Sequence, residues 1–172
     1  MLPTDVPPVD PATLMQVIET CAPEVHPLTM RKVLKVESGG NVLAVSINGG
    51  VQLAWQPRSL AEAVVTARDL RRRGFNFDAG PWQINIKNWD WLGLNESTVF
   101  DACESARAAQ RVLLDCFTRA PATDPQAALR MALSCYNTGS HRAGFQNGYV
   151  VKVLRAPVVV SPVPAALKER AP

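Results

Sequence analysis

With 172 residues, 47% of them hydrophobic and 19% charged, the chain is long enough for one globular domain with its own core. The net charge of +3 comes without a basic cluster interleaved with aromatics, which leaves no case for nucleic acid. No apolar run reaches the ~18 residues of a membrane span.

Residues 1–9 are proline-rich and read as a flexible N-terminal segment; they carry neither a positive n-region nor an apolar h-region, so they are not a signal peptide. Asp10-Pro11 is an N-cap followed by an N1 proline and opens a helix to about Cys21, with Leu14, Val17, Ile18 and Cys21 on one face. After Pro23 and Pro27 a second helix starts near Leu28 and stops at Gly39-Gly40. Leu43, Val45 and Ile47 alternate with small or polar residues, Asn48-Gly49-Gly50 is a turn signal, and Val51, Leu53 and Trp55 alternate beyond it: a β-hairpin is expected. Ser59-Leu60-Ala61-Glu62 is a capping box opening a helix to Arg73, where the run Arg71-Arg72-Arg73 reads as a solvated end complementing the helix dipole.

Phe75 to Asp78 reads as a third short strand, Gly80 to Asn85 as a loop, and Asn88 to Leu92 as one helical turn ended by Gly93. Asp101 opens a helix to about Arg119 with Ala106, Ala109, Val112, Leu113 and Cys116 inward. Asp124-Pro125 opens another to about Tyr136, closed by Asn137-Thr138-Gly139, and Phe145 to Leu154 forms the last. From Ala156 the prolines exclude a helix, so 156–172 is expected as an extended tail. The sum is an α+β, mostly helical domain over 10–155, with a small three-stranded antiparallel sheet inserted after the second helix.

Glu37 stands out within it. It falls in the last turn of its helix, at the negative end of the dipole, where a carboxylate is poorly placed. Alone, it reads as a solvated or locally paired side chain. In a dry site, burial and the dipole would both raise its pKa from ~4.3 towards the ~6–7 useful to a general acid. Cys21, Cys103, Cys116 and Cys135 contain no C-x-x-C and form no zinc-ligand spacing with His26 and His141, so no zinc site and no cofactor is expected. An even count permits two disulfides in an oxidising compartment, with three pairings open, or four buried thiols in a reducing one.

Three stretches stand in order: Glu37-Ser38-Gly39-Gly40-Asn41, Gly80-Pro81-Trp82-Gln83-Ile84-Asn85 and Ala132-Leu133-Ser134-Cys135-Tyr136-Asn137-Thr138-Gly139. Together, over roughly residues 14–155, they resemble the soluble lytic transglycosylases of goose-type lysozyme-like fold, and most closely the branch associated with type IV secretion and conjugation. The resemblance implies cleavage of the β-1,4 bond between N-acetylmuramic acid and N-acetylglucosamine in peptidoglycan, leaving a 1,6-anhydro ring. It implies one carboxyl group, Glu37, acting as acid and then base, with the sugar's own N-acetyl group stabilising positive charge. Ser46 and Asn137 would hold the reacting sugar, Tyr136 would orient the acid, and Gln83, Asn85 and Trp82 would line the cleft. It pairs Cys21 with Cys103 and Cys116 with Cys135. It places the protein in the periplasm, its signal absent from this sequence, with glycan strands and secretion-system components as partners.

Structural readings stand beside each role. Ser46 reads also as an outward strand residue, Gln83 and Asn85 as loop residues bonded to their own backbone, Tyr136 as core, and Asn137 as the left-handed cap of its helix. Trp89 and Trp91 are expected in the core. Pro81-Trp82 is bulkier than the small residues usual in the resembling loop. Asp78 is a strand-end residue or a second carboxylate, and the latter would favour hydrolysis with water. The alternatives to a lytic transglycosylase are thus a muramidase on the same fold and a glycan-binding or assembly protein without turnover.

Overall fold

The computed structural model describes residues 9–158. The expected N-terminal segment 1–9 and tail 156–172 therefore lie outside the described residues, apart from Val9 and residues 156–158. Eight α-helices among the described residues surround a small sheet: α1 (Pro11–Cys21), α2 (Pro27–Glu37), α3 (Leu60–Arg72), α4 (Trp89–Leu92), α5 (Ala102–Thr118), α6 (Pro125–Thr138), α7 (Ala143–Gln146) and α8 (Tyr149–Leu154).

The local signals act as their chemistry dictates. Asp10, Ser59, Asp101 and Asp124 each accept first-turn amide hydrogens at the starts of α1, α3, α5 and α6. In α3 the box is displaced by one residue: Glu62 accepts from the Arg58 amide rather than from Ser59. Gly93 and Gly139 end α4 and α6 in the left-handed conformation. The expected last helix is instead two short ones, because Gly148 (φ 83°) turns the chain between α7 and α8.

Helix α5 is the axis of the molecule, packing against α1 on one side and α6 on the other. Ala106, Ala108 and Ala109 are buried along it, and these small side chains let neighbouring backbones approach. Both of its ends are stapled. Cys21 of α1 is joined to Cys103, and Cys135 of α6 to Cys116, the pairs that the resemblance implies.

The sheet has the order β1 (Val45–Ile47), β2 (Phe77–Ala79), β3 (Ile84–Asn85), antiparallel throughout. Three strands were expected, but not all of these three. The hairpin does not form: β1 pairs with β2, and Val51 to Trp55 is not a strand. The reason lies at Gln56. Its side-chain amide donates to the Val45 carbonyl (2.8 Å) and accepts from the Val45 amide (2.9 Å), occupying the edge that a hairpin partner would need. The third strand comes from Ile84–Asn85, within the stretch expected to be loop.

Register gives the sheet two faces. Val45, Ala79 and Ile84 form a buried row, 0–2% exposed, while Ser46, Asp78 and Asn85 form a polar row directly across the three strands. Trp89 fills the core beside the sheet, edge-on to Phe77 at 5.4 Å.

Candidate active site

A groove of about 480 Å³ runs between the end of α2, the sheet, α4 and the facing sides of α5 and α6. Glu37, Asp78, Gln83, Asn85, Tyr136 and Asn137 all line it. Helix α5 contributes Val112, Asp115 and Cys116, and its C-cap Arg119 continues the same i, i+3, i+4, i+7 face.

Glu37 is the last residue of α2, half-buried and open to the groove. Its Oε1 accepts a 2.5 Å hydrogen bond from the Tyr149 hydroxyl. Burial pushes its carboxyl up to about 7. The Tyr149 hydrogen bond works against that rise, the negative charge of Asp78 adds to it, and Lys152 offsets part of it. A carboxyl group balanced near neutrality can hold a proton and also release it, the property a general acid–base needs.

Tyr149 is not among the residues expected at the site, and the orienting role was expected of Tyr136. The Tyr136 hydroxyl instead donates to the Trp82 carbonyl (2.6 Å), so it fixes the loop over 80–83 rather than the acid. Burial, then the neighbouring charges of Glu37 and Asp78, hold the Tyr136 hydroxyl well above its ordinary value, so it stays a donor. The Tyr149 hydroxyl is raised in the same way, burial first and Glu37 next. A signal for Tyr149 existed: a tyrosine at the edge of the apolar run Tyr149-Val150-Val151 must find its hydroxyl a partner once buried.

The Gly80–Asn85 segment is held by features only the fold reveals. Gly80 (φ 83°) cannot be replaced, since an added Cβ would fall 2.1 Å from the Val99 carbonyl oxygen. Gln83 has φ 51°, the one positive value outside glycine among the described residues. That strained conformation is held by two hydrogen bonds, from Nε2 to the carbonyls of Ala44 (3.0 Å) and Gly80 (2.9 Å). The residue itself lines the groove. Ser38, the C-cap of α2, donates to the Pro81 carbonyl (2.6 Å) and accepts from the Gly40 amide (3.1 Å), tying the acid's helix to this segment.

Trp82 does not line the groove. It is fully buried, and its Nε1–H donates to the Met30 carbonyl (3.1 Å) behind Glu37's helix. The bulk of Pro81-Trp82 therefore goes into the core and leaves the groove open. Trp91, expected in the core, is 45% exposed and lines the groove, whereas Trp89 is buried. Ser46 is exposed at the end of the polar row, beside Asp78, and does not itself line the groove. Asn137 is not a helix cap. It sits in the last turn of α6, accepts from Asn147 Nδ2 (2.8 Å), and leaves the left-handed position to Gly139.

Asp78 is caged by amides. Asn85 Nδ2 donates to its Oδ1 (2.8 Å) and Asn48 Nδ2 to its Oδ2 (3.1 Å), and Asn85 also donates to Asn76. Burial raises the Asp78 carboxyl, and these two hydrogen bonds pull it back. Among the described residues no cluster of three or more His, Cys, Asp or Glu side chains could hold a metal ion, and no helix is long and apolar enough to cross a membrane.

Residues 14–156 match the model of the transglycosylase SLT domain family. The type IV secretion system protein virB1 of Brucella abortus is 38% identical over 159 residues, covering 84% of this chain. Its counterpart in Brucella suis is 39% identical over 154 residues, again covering 84% of this chain, and protein virB1 of Rhizobium radiobacter is 39% identical over 164 residues, covering 94%. The chain spans 64–66% of the length of these relatives. No solved structure gives a significant match.

Proposed function

The chain belongs to the transglycosylase SLT domain family, and from that premise and the geometry of the groove we propose that it is a lytic transglycosylase of the cell wall. It cleaves the β-1,4 bond between N-acetylmuramic acid and N-acetylglucosamine in the periplasm and opens peptidoglycan locally for a type IV secretion or conjugation apparatus. The observation carrying this reading is Glu37: a groove-facing carboxyl held near pH 7 and oriented by a tyrosine hydroxyl. The secretory context rests on the Brucella relatives, which are named as type IV secretion system proteins.

The chemistry follows from one acid. Protonated Glu37 gives its proton to the glycosidic oxygen as the bond from that oxygen to the anomeric carbon breaks. The substrate's N-acetyl group shares the positive charge that develops. Glu37, now a carboxylate, takes the proton of the muramic acid's own 6-hydroxyl as that oxygen attacks the anomeric carbon. The ring closes, the acid is regenerated and no water is consumed. Tyr149 keeps the carboxyl oriented in both protonation states. Asp78, Asn85 and Asn137 offer donors and acceptors to the sugar.

A second reading, hydrolysis, has one observation in its favour: Asp78 is a second carboxylate on the same groove. Digestion of purified sacculi with mass identification of the products separates the two. Anhydromuropeptides are expected; reducing ends would transfer the assignment to a muramidase. Unchanged lysis by Glu37→Gln would defeat both.

A further inference from the structure

An exposed indole on a groove wall is a costly surface unless something covers it. Trp91 is such an indole. It is 45% exposed and lines the groove, and two contacts hold its ring. Its Nε1–H donates to Asn88 Oδ1 at 3.0 Å. The guanidinium of Arg111 lies over one ring face, 5.2 Å from the centroid. Arg111 is itself anchored by donating to the carbonyls of Trp91 (3.2 Å) and Leu92 (3.5 Å). Because Arg111 does not line the groove while Trp91 and Asn88 do, the cation covers the face turned away from it. The other face is presented to whatever fills the groove, already held in one orientation.

We propose that Trp91 is a sugar-stacking platform, forming with Asn88 a subsite for a pyranose of the glycan strand other than the one whose bond is broken. It is a separate station: Trp91 stands on α4 against α5, whereas Glu37 stands at the end of α2 against α8. A pyranose ring has an apolar face of axial C–H bonds and a rim of hydroxyls, and it fits a fixed aromatic plane flanked by an amide. The Asn88 nitrogen, whose oxygen is taken by Trp91, remains a donor for a hydroxyl or acetamido oxygen. Little ordering entropy is lost when the strand lands, because Arg111 and Asn88 already hold the ring. The platform therefore adds affinity for longer strands and not for the shortest substrate.

This inference rests on the glycan reading above, and its test separates the two. The protein carrying Glu37→Gln, with and without Trp91→Ala, is titrated calorimetrically with peptide-free peptidoglycan strands, a disaccharide against a longer oligomer. Loss of Trp91 is expected to weaken the oligomer about tenfold, equivalent to ~1.4 kcal/mol, and to leave the disaccharide unchanged. Trp91→Phe should recover part of the loss. In the Glu37→Gln protein the Nε1–H resonance of Trp91 should move on adding oligomer, a reading that needs no altered fold at position 91. Equal oligomer affinities with a stationary Trp91 resonance would overturn the subsite alone. Absence of any strand binding by the Glu37→Gln protein would overturn the glycan reading and the subsite with it.

Discussion

The groove's helical wall, from α2, α5 and α6 with α8 packed behind, is held by apolar burial and by the Cys116–Cys135 bridge. Its sheet wall has strands of three, three and two residues and is held by side-chain amides: Gln56 on Val45, Gln83 on Ala44 and Gly80, Asn48 and Asn85 on Asp78. The contrast shows how one site obtains two environments. A wall of packed helices can withdraw a carboxyl from water and raise its pKa. On the short sheet the amides of Asn85 and Asn48 pull the Asp78 carboxyl back against the rise that burial gives it, and the sheet's turns present polar groups to a polar substrate.

If the proton chemistry belongs to the helical wall, the largest effect lies at Glu37. Glu37→Gln should lower release of muropeptides from sacculi by roughly 10³-fold or more, the range of a lost general acid. The same variant tests the burial. Glu37's folded value of about 7 lies above its ordinary 4.5, so the folded protein binds more protons between those values. Stability from this group is complete below about 4.5 and is lost as pH rises through about 7. Glu37→Gln should therefore gain on the parent between pH 5 and 8 by up to ~3 kcal/mol in denaturant melts. A difference independent of pH would mean that the carboxyl is solvated.

The two bridges come next. In the loop-entropy account, replacing both cysteines of Cys21–Cys103 should cost ~4.5 kcal/mol and of Cys116–Cys135 ~3 kcal/mol. Activity should follow the opposite order, since Cys116 and Cys135 line the groove while Cys21 and Cys103 do not. Paired melts and lysis rates of the two double-alanine proteins check both orders at once.

The tyrosines sharpen the comparison further. Tyr149→Phe removes the donor to Glu37 and should slow lysis by roughly ten- to a hundredfold, the scale of a misoriented reacting group. The alkaline limb of the pH–rate profile should move to higher pH, because that hydrogen bond favours the carboxylate. Tyr136→Phe leaves the Trp82 carbonyl without its donor and should cost ~1–3 kcal/mol of stability with the limb unmoved. Interchanged phenotypes would return the orienting role to Tyr136. The smallest effect is expected from the sheet wall: Asp78→Asn removes a charge that raises Glu37, so the limb should move to lower pH. No movement would separate the two walls electrostatically.

Local chemistry made the helical wall legible. Asp10-Pro11, Asp101, Asp124-Pro125 and Gly139 mark helix ends through their own backbone and side-chain bonding, with little help from distant residues. Glu37's position at the end of its helix was legible for the same reason. The sheet wall was legible only in part: β1 and β2 fall in stretches expected to be strands, whereas β3 is too short to carry a periodicity and the pairing is chosen by residues outside the strands. Gln56 displacing a hairpin is such a choice, and so is the burial of Trp82 under α2 while Trp91 faces the groove.

From sequence alone come the helices, their caps and the carboxyl group on which the chemistry turns, since these depend on neighbours within a few positions. Which tyrosine reaches that carboxyl, which tryptophan meets the groove and which strands pair were decided only in three dimensions. Alternation and capping say that a side chain points inward or outward, but its partner depends on how whole elements pack together.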